Sequence, residues 1–249
     1  MRVAVVGKGG AGKSVVAGTL ARLAARAGAR VLALDSDPLP GLSLSLGAYP
    51  EPAAPLLLGA VQQDERGYWS WRDGLGPVGA ALQYASPAPD GVRLVQRGKV
   101  GPEGFGAIIG SSKAFVEMAR GLVDAPEFRD WTLIGDLPAG PMQVAENWAP
   151  YARIYLTIVQ PSLQSALTAM RVARIARQSP AEQVLIVANR VRSDDDVDRI
   201  QRWMGEPVFA AVPADDVLAV AERLGVAPID HAPDSPAITA LGGVFAALR

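Results

Sequence analysis

Short apolar runs alternate with helix-length amphipathic stretches along the whole chain. Arg2-Val3-Ala4-Val5-Val6 opens the series as a buried strand. Ser14 to Ala27 follows as a helix, with Val16, Leu20, Leu23 and Ala24 on one face. Further strand-like runs begin at Arg30, Val92, Trp131, Ile154, Val184 and Val208. Helical periodicity predicts helices over Ser111 to Val123, Leu163 to Arg177, Asp194 to Met204, Asp215 to Leu224 and Pro236 to Leu248. Strands that read as continuous apolar runs are buried on both faces. The pattern therefore predicts an α/β fold with a mostly parallel, doubly wound sheet of about seven strands and helices on both faces. Residues 48–91 break the alternation with prolines, glycines and the aromatic knot Tyr68-Trp69-Ser70-Trp71. Alternating aromatics predict a hairpin packed on its own domain, so the segment reads as a variable insert in a single domain spanning 1–249.

Composition narrows the class. The chain has 249 residues, 49% of them apolar, and a mean hydropathy of +0.17, enough for a large core and too apolar for disorder. A formal net charge of −1 offers no general attraction to nucleic acid or anionic lipid. With no cysteine, the chain can form neither disulfides nor thiolate metal sites. The first strand starts at once and no apolar run reaches membrane-spanning length, so the expected location is the cytoplasm.

The chemistry concentrates after the first strand. Gly7-Lys8-Gly9-Gly10-Ala11-Gly12-Lys13-Ser14 fills every position of the phosphate-binding pattern G-x-x-x-x-G-K-[ST]. Its glycines let backbone N–H groups converge on phosphate oxygens, and the next helix turns its positive end to the same anion. The expected nucleotide contacts run over Gly9, Gly10, Ala11, Gly12, Lys13, Ser14 and Val15, with Lys13 on the β and γ phosphates and Ser14 on Mg²⁺. Gly7, Gly9 and Gly12 also spell the dinucleotide pattern G-x-G-x-x-G. A dinucleotide has no use for a lysine and a hydroxyl straight after the last glycine, whereas a metal-bound triphosphate needs both.

In parallel sheets the ligand crevice lies beyond the carboxyl ends of the strands. Asp35-Ser36-Asp37-Pro38 ends one strand with two carboxylates on the same side, where a carboxylate either orders the waters of the Mg²⁺ or orients the attacking water; Asp37 is the candidate for the metal site and the better placed for the water. The bland alternative there is a turn built by Asp and Pro. Asp136-Leu137-Pro138-Ala139-Gly140 ends another strand. Asp136 fits a magnesium-holding role, and Gly140 can offer a backbone N–H to the γ phosphate. Asn189-Arg190 and Pro213-Ala214-Asp215 are weaker candidates for the adenine edge, because turns favour the same residues.

Together, Lys8 to Ser14, Asp35 to Pro38 and Asp136 to Gly140 resemble the deviant Walker A P-loop ATPases, the group of MinD, ParA, the nitrogenase iron protein and the CooC-like ATPases. The resemblance covers nearly the whole chain. It implies an ATP-dependent homodimer in which Lys8 reaches the partner's phosphates, with Asp37 and Asp136 as the switch aspartates. It also implies that Asn189 and the Pro213 to Asp215 stretch lie beside the base. Two of the chain's four lysines (Lys8, Lys13, Lys99, Lys113) fall in this one loop.

Within the group the CooC-like branch is most similar, through Leu42, Leu46-Gly47, Arg93-Leu94-Val95, Gly98 and Gly101-Pro102-Glu103-Gly104. That branch carries a C-x-C metal-binding pair where this chain has Phe105 and Ala107. The resemblance thus implies a motor using ATP and Mg²⁺ on an unidentified client protein, without a nickel or iron–sulfur site. The lone His231, in a proline-rich loop, reads as a surface or capping residue.

A MinD-like membrane helix is the expectation that Ile238, Leu241, Val244, Phe245 and Leu248 would raise. Only Arg249 accompanies them, so a core helix is favoured. A ParA-like DNA surface would draw on Arg171, Arg174, Arg177, Arg190, Arg192, Arg199 and Arg202, which Asp194, Asp195, Asp196 and Asp198 dilute.

Overall fold

The computed structural model describes residues 1–37, 41–48, 57–72, 74–98 and 105–249. Pro38, Lys99, the stretch 101–104 and part of the 48–91 insert lie outside them, as do the side chains of Phe105 and Ala107. The strands are β1 (Arg2–Gly7), β2 (Arg30–Asp35), β3 (Val61–Gln63), β4 (Trp69–Trp71) and β5 (Ser86–Pro87), then β6 (Arg93–Gln96), β7 (Trp131–Asp136), β8 (Ile154–Val159), β9 (Gln183–Val191) and β10 (Ala210–Pro213). The helices are α1 (Lys13–Arg26), α2 (Leu42–Leu46), α3 (Pro77–Gln83), α4 (Phe105–Gly121) and α5 (Met142–Ala145), then α6 (Leu163–Ala176), α7 (Asp194–Met204), α8 (Asp216–Leu224), α9 (Pro228–His231) and α10 (Pro236–Ala247).

Eight of the described strands form one sheet in the order β10-β9-β8-β1-β7-β2-β6-β5. All its pairings are parallel except β5 with β6. The count exceeds the expected seven by β5, a two-residue edge strand too short to leave a periodic signal. Alternation along β1 divides the core. Val3 and Val5 join the cluster under α1 and α10, while Ala4 and Val6 join the one under α4 and α6. Within the α10 stripe, Ile238, Leu241 and Val244 are buried, and Phe245 and Leu248 pack against the same cluster, so this face serves the core.

The aromatic knot forms the antiparallel hairpin β3–β4. Trp69 and Trp71 pack on the core, and Lys113 Nζ of α4 donates to the Trp69 carbonyl at 2.9 Å. Among the described residues, no helix is long and apolar enough to cross a membrane.

The strand order has one consequence for chemistry. β1 lies between β8 and β7, with β2 next to β7, so the loops after Gly7, Asp35, Asp136 and Val159 leave the same edge of the sheet side by side.

Candidate functional site

The loop between β1 and α1 is a compact cradle. Ala11 N–H donates to the Lys8 carbonyl at 3.2 Å, and Lys13 Nζ folds back to the same oxygen at 3.4 Å. Lys13 is only 7% exposed, so its ammonium points into the loop rather than into water. Gly12, the residue before α1, has φ 95°. A Cβ on it would lie 2.3 Å from Asn189 Nδ2, so this position excludes any side chain on both conformational and steric grounds. Asn189, at the end of β9, donates that Nδ2 to the Ala11 carbonyl at 2.7 Å. Gln160, just after β8, donates Nε2 to the Gly10 carbonyl at 2.9 Å. Two neighbouring strands thus brace the cradle.

Beside it sit two buried aspartates. The β2–β7 register pairs Asp35 with Asp136, and each is 1% exposed. Ser14 Oγ donates to Asp136 Oδ2 at 2.5 Å. Asp136 Oδ1 and Asp35 Oδ2 are buried without a hydrogen-bond partner. Burial raises the Asp136 pKa to about 6, opposed by the Ser14 hydrogen bond and Lys13. Burial, followed by the Asp136 charge, pushes Asp35 well above the ordinary carboxylate range. Two buried carboxylates with unspent oxygens beside a serine hydroxyl form a hard-oxygen set, which suits a divalent cation such as Mg²⁺. Among the described residues, no three His, Cys, Asp or Glu side chains cluster to hold a metal unaided. A magnesium ion that keeps its waters and takes phosphate oxygens needs no such cage.

Asp37 is half-buried, and its backbone N–H donates to Asp35 Oδ1 at 3.1 Å. Gly41, just before α2, packs against the cradle: a Cβ on it would come within 2.6 Å of Ser14 Oγ. Gly140, expected at the γ phosphate, has its N–H engaged within the loop cluster. Its N–H donates to the Gly7 carbonyl at 3.1 Å, and a hand-over to a γ phosphate would require that bond to break. Asp215 also differs. Its Oδ1 caps α8 through Val217 N–H at 3.1 Å and its Oδ2 accepts from Ala237 N–H at 3.3 Å, so the carboxylate is engaged in joining α8 to α10.

Arg190 is exposed at φ 60° in a bulge, because Val212 pairs with Asn189 while Pro213 pairs with Val191. Asn189, Arg190, Pro213 and Asp215 line a cavity of about 390 Å³ whose floor includes Gly12 and Val15. That volume falls within the range of small-molecule sites.

Sequence reasoning passed over Asp35 in favour of Asp37, and missed Gln160 and Gly41. The strand neighbourhood supplies the missing signal, and it is set by topology rather than by local pattern. Of the arginine row, Arg177 pairs with Glu206 at 2.5 Å and Arg199 with Asp196 at 3.4 Å, while Arg171 and Arg174 are exposed on α6. His231 is exposed in α9.

Comparison with known proteins places the chain in a family. Residues 3–229 match the model of the CobQ/CobB/MinD/ParA nucleotide binding domain. An uncharacterized ATP-binding protein of Methanocaldococcus jannaschii is 27% identical over 234 residues, spanning 90% of each chain. The carbon monoxide dehydrogenase accessory protein CooC of Rhodospirillum rubrum is 25% identical over 248 residues, covering 94% of this chain and 91% of that one. The crystal structure of the septum site-determining protein MinD of Pyrococcus horikoshii, complexed with Mg-ADP, superposes with a TM-score of 0.72 at 20% identity. It covers 99% of this chain and 94% of that one.

Proposed function

The chain belongs to the CobQ/CobB/MinD/ParA nucleotide-binding family, and from that premise we propose that it is a Mg²⁺-dependent ATPase switch. In this reading it pairs as a homodimer when ATP is bound, reopens on hydrolysis, and so times the loading or maturation of a client protein in the cytoplasm. The observation that carries the proposal is the Ser14–Asp136 hydrogen bond at 2.5 Å, set beside Asp35 and beneath a complete phosphate loop. The whole chain forms one ATPase unit, with 48–91 as its variable insert.

Each residue has a part. Lys13 exchanges the Lys8 carbonyl for the β and γ phosphates, at small cost because its present contact is long at 3.4 Å. Ser14 and Asp136 hold the metal, which when bound neutralises charge developing on the phosphates. Asp37 orients the attacking water, and Gly140 meets the γ phosphate after leaving Gly7. Lys8, half-buried in the loop, extends to the partner protomer's phosphates. The backbone of Gly9 to Val15 cradles the phosphates. Asn189 Oδ1 remains available to accept from adenine while Nδ2 is spent on Ala11. Arg190 and Pro213 wall the base, and Asp215 shapes that wall through its caps.

The likeness to the CooC accessory protein supports a client-directed role over a docking role. The absence of cysteine leaves this chain without that branch's metal-binding pair.

Phosphate release from Mg²⁺-ATP, measured with the parent and with Asp37→Ala, tests the proposal. The parent should turn over slowly and the variant about a hundredfold more slowly, with nucleotide affinity kept. Equal rates in the two chains would remove the enzymatic reading.

A further inference from the structure

Arg97 leaves the end of β6 and is 6% exposed. The functional reading above gives it no part. Its backbone N–H donates to the Asp35 carbonyl at 2.9 Å, which fixes its Cα beside the first carboxylate loop. Its guanidinium centre lies 5.3 Å from the ring of Trp148, within cation–π range. Trp148 lies just after α5, on the connection that runs from Asp136 at the end of β7 to β8. Its backbone N–H donates to the Gln143 carbonyl at 2.9 Å, closing α5, and its Nε1 donates to Glu146 at 2.9 Å.

Arg97 Nε is buried with no hydrogen-bond partner. Burial lowers the arginine's pKa, and the charges of Asp37 and then Asp35 oppose that shift, so the guanidinium lies within the field of both carboxylates. A leucine or methionine would fill the same space against Trp148 without burying a charge or leaving a donor unspent. A buried cation therefore stacks on Trp148 while its backbone is bonded to Asp35, within the field of the Asp35 and Asp37 charges.

We propose that Arg97 is a positioning residue that couples the two carboxylate-bearing loops, transmitting a change of charge around Asp35 and Asp37 to the Trp148 segment that follows Asp136. The inference rests on the nucleotide-switch reading above. A metal-bound nucleotide beside Asp35 and Asp136 weakens the pull of the carboxylates on Arg97, and the guanidinium's contact with Trp148 shifts in response.

The test compares the parent with Arg97→Gln, which removes the charge while keeping a long polar side chain, and Arg97→Lys, which keeps the charge. Tryptophan emission is recorded on adding Mg²⁺-ATP, with Trp148→Phe identifying the share that comes from Trp148, and kcat and KM are measured alongside. Arg97→Gln should abolish the Trp148 share and lower kcat about tenfold, with KM within about twofold of the parent; Arg97→Lys should recover most of both.

An intact emission change in folded Arg97→Gln overturns the proposal. So does a parallel fall of kcat, nucleotide affinity and thermal midpoint in both variants, which marks a purely structural role. If Arg97→Gln does not fold, Asp37→Asn should reduce the Trp148 share instead, and a full response there overturns the proposal equally. A parent that binds nucleotide without hydrolysing it refutes the enzymatic reading, while the emission arm still decides on Arg97.

Discussion

Replacing Gly12 by alanine sets two separate costs against the phosphate loop. The first is conformational, because φ 95° lies in territory that an L side chain enters at about 1–2 kcal/mol. The second is steric. The new Cβ would stand 2.3 Å from Asn189 Nδ2, so Asn189 must turn away and give up its 2.7 Å bond to the Ala11 carbonyl. Leaving that buried pair unmade costs about 1–3 kcal/mol. The sum is roughly 2–5 kcal/mol, which urea denaturation reads as a lower midpoint at unchanged slope. Nucleotide affinity should fall in the same variant, since the displaced segment includes Ala11 and the start of α1. The double variant Gly12→Ala/Asn189→Ala separates the terms. Asn189→Ala removes the obstacle, so the two substitutions should be non-additive by about 1–2 kcal/mol. A Gly12→Ala chain within about 0.5 kcal/mol of the parent, or strict additivity in the double variant, would refute the argued contact.

Other expectations follow from the same coordinates. Asp136, at about 6, and Asp35, also raised by burial and by the Asp136 charge, bind protons more tightly in the folded chain than in the unfolded one. Their contribution to stability is therefore present at low pH and is lost as pH rises from about 4 through about 6. Without divalent metal, the stability gain of Asp136→Asn over the parent should grow across that window, reaching about 3 kcal/mol at pH 7. Parallel pH profiles for the two chains would contradict this.

Arg22, 2% exposed, donates to Asp90, Asp230 and the Leu46 carbonyl at the end of α2. Arg22→Met should cost about 1–3 kcal/mol in chemical denaturation, because the bonds to Asp90, Asp230 and the Leu46 carbonyl are lost while Arg26 still pairs with both carboxylates. DNA retention by the parent at low salt should be weak and insensitive to Arg171→Ala/Arg174→Ala; a steep salt dependence abolished by that pair would favour the ParA-like alternative.

Much of the architecture could be read in advance because its signals are local. β1, the phosphate loop and α1 follow one another within a single stretch, and α7 begins and ends where its periodicity places it. The hairpin of Trp69 and Trp71 was legible from its alternation. What escaped depends on which strands become neighbours. Asp35 and Asp136 are a hundred residues apart in the chain and meet only because β2 lies beside β7. Arg97 is an ordinary residue until β6 joins β2 and brings its backbone to the Asp35 carbonyl. Gly140 was expected at a phosphate, and a strand pattern carries no hint that its N–H is held by the Gly7 carbonyl. Short elements such as α2 and α5 hold only about one turn and leave no periodic trace.

The central claim is that ATP closes two copies of this chain over one another and hydrolysis releases them. It is tested most directly by light scattering on Asp37→Ala, which should hold ATP without consuming it. With Mg²⁺-ATP the mass should be twice the 26.0 kDa of one chain, returning to one chain with Mg²⁺-ADP or when Lys8→Ala is added. The same mass with both nucleotides, or a dimer that persists without Lys8, would contradict the account.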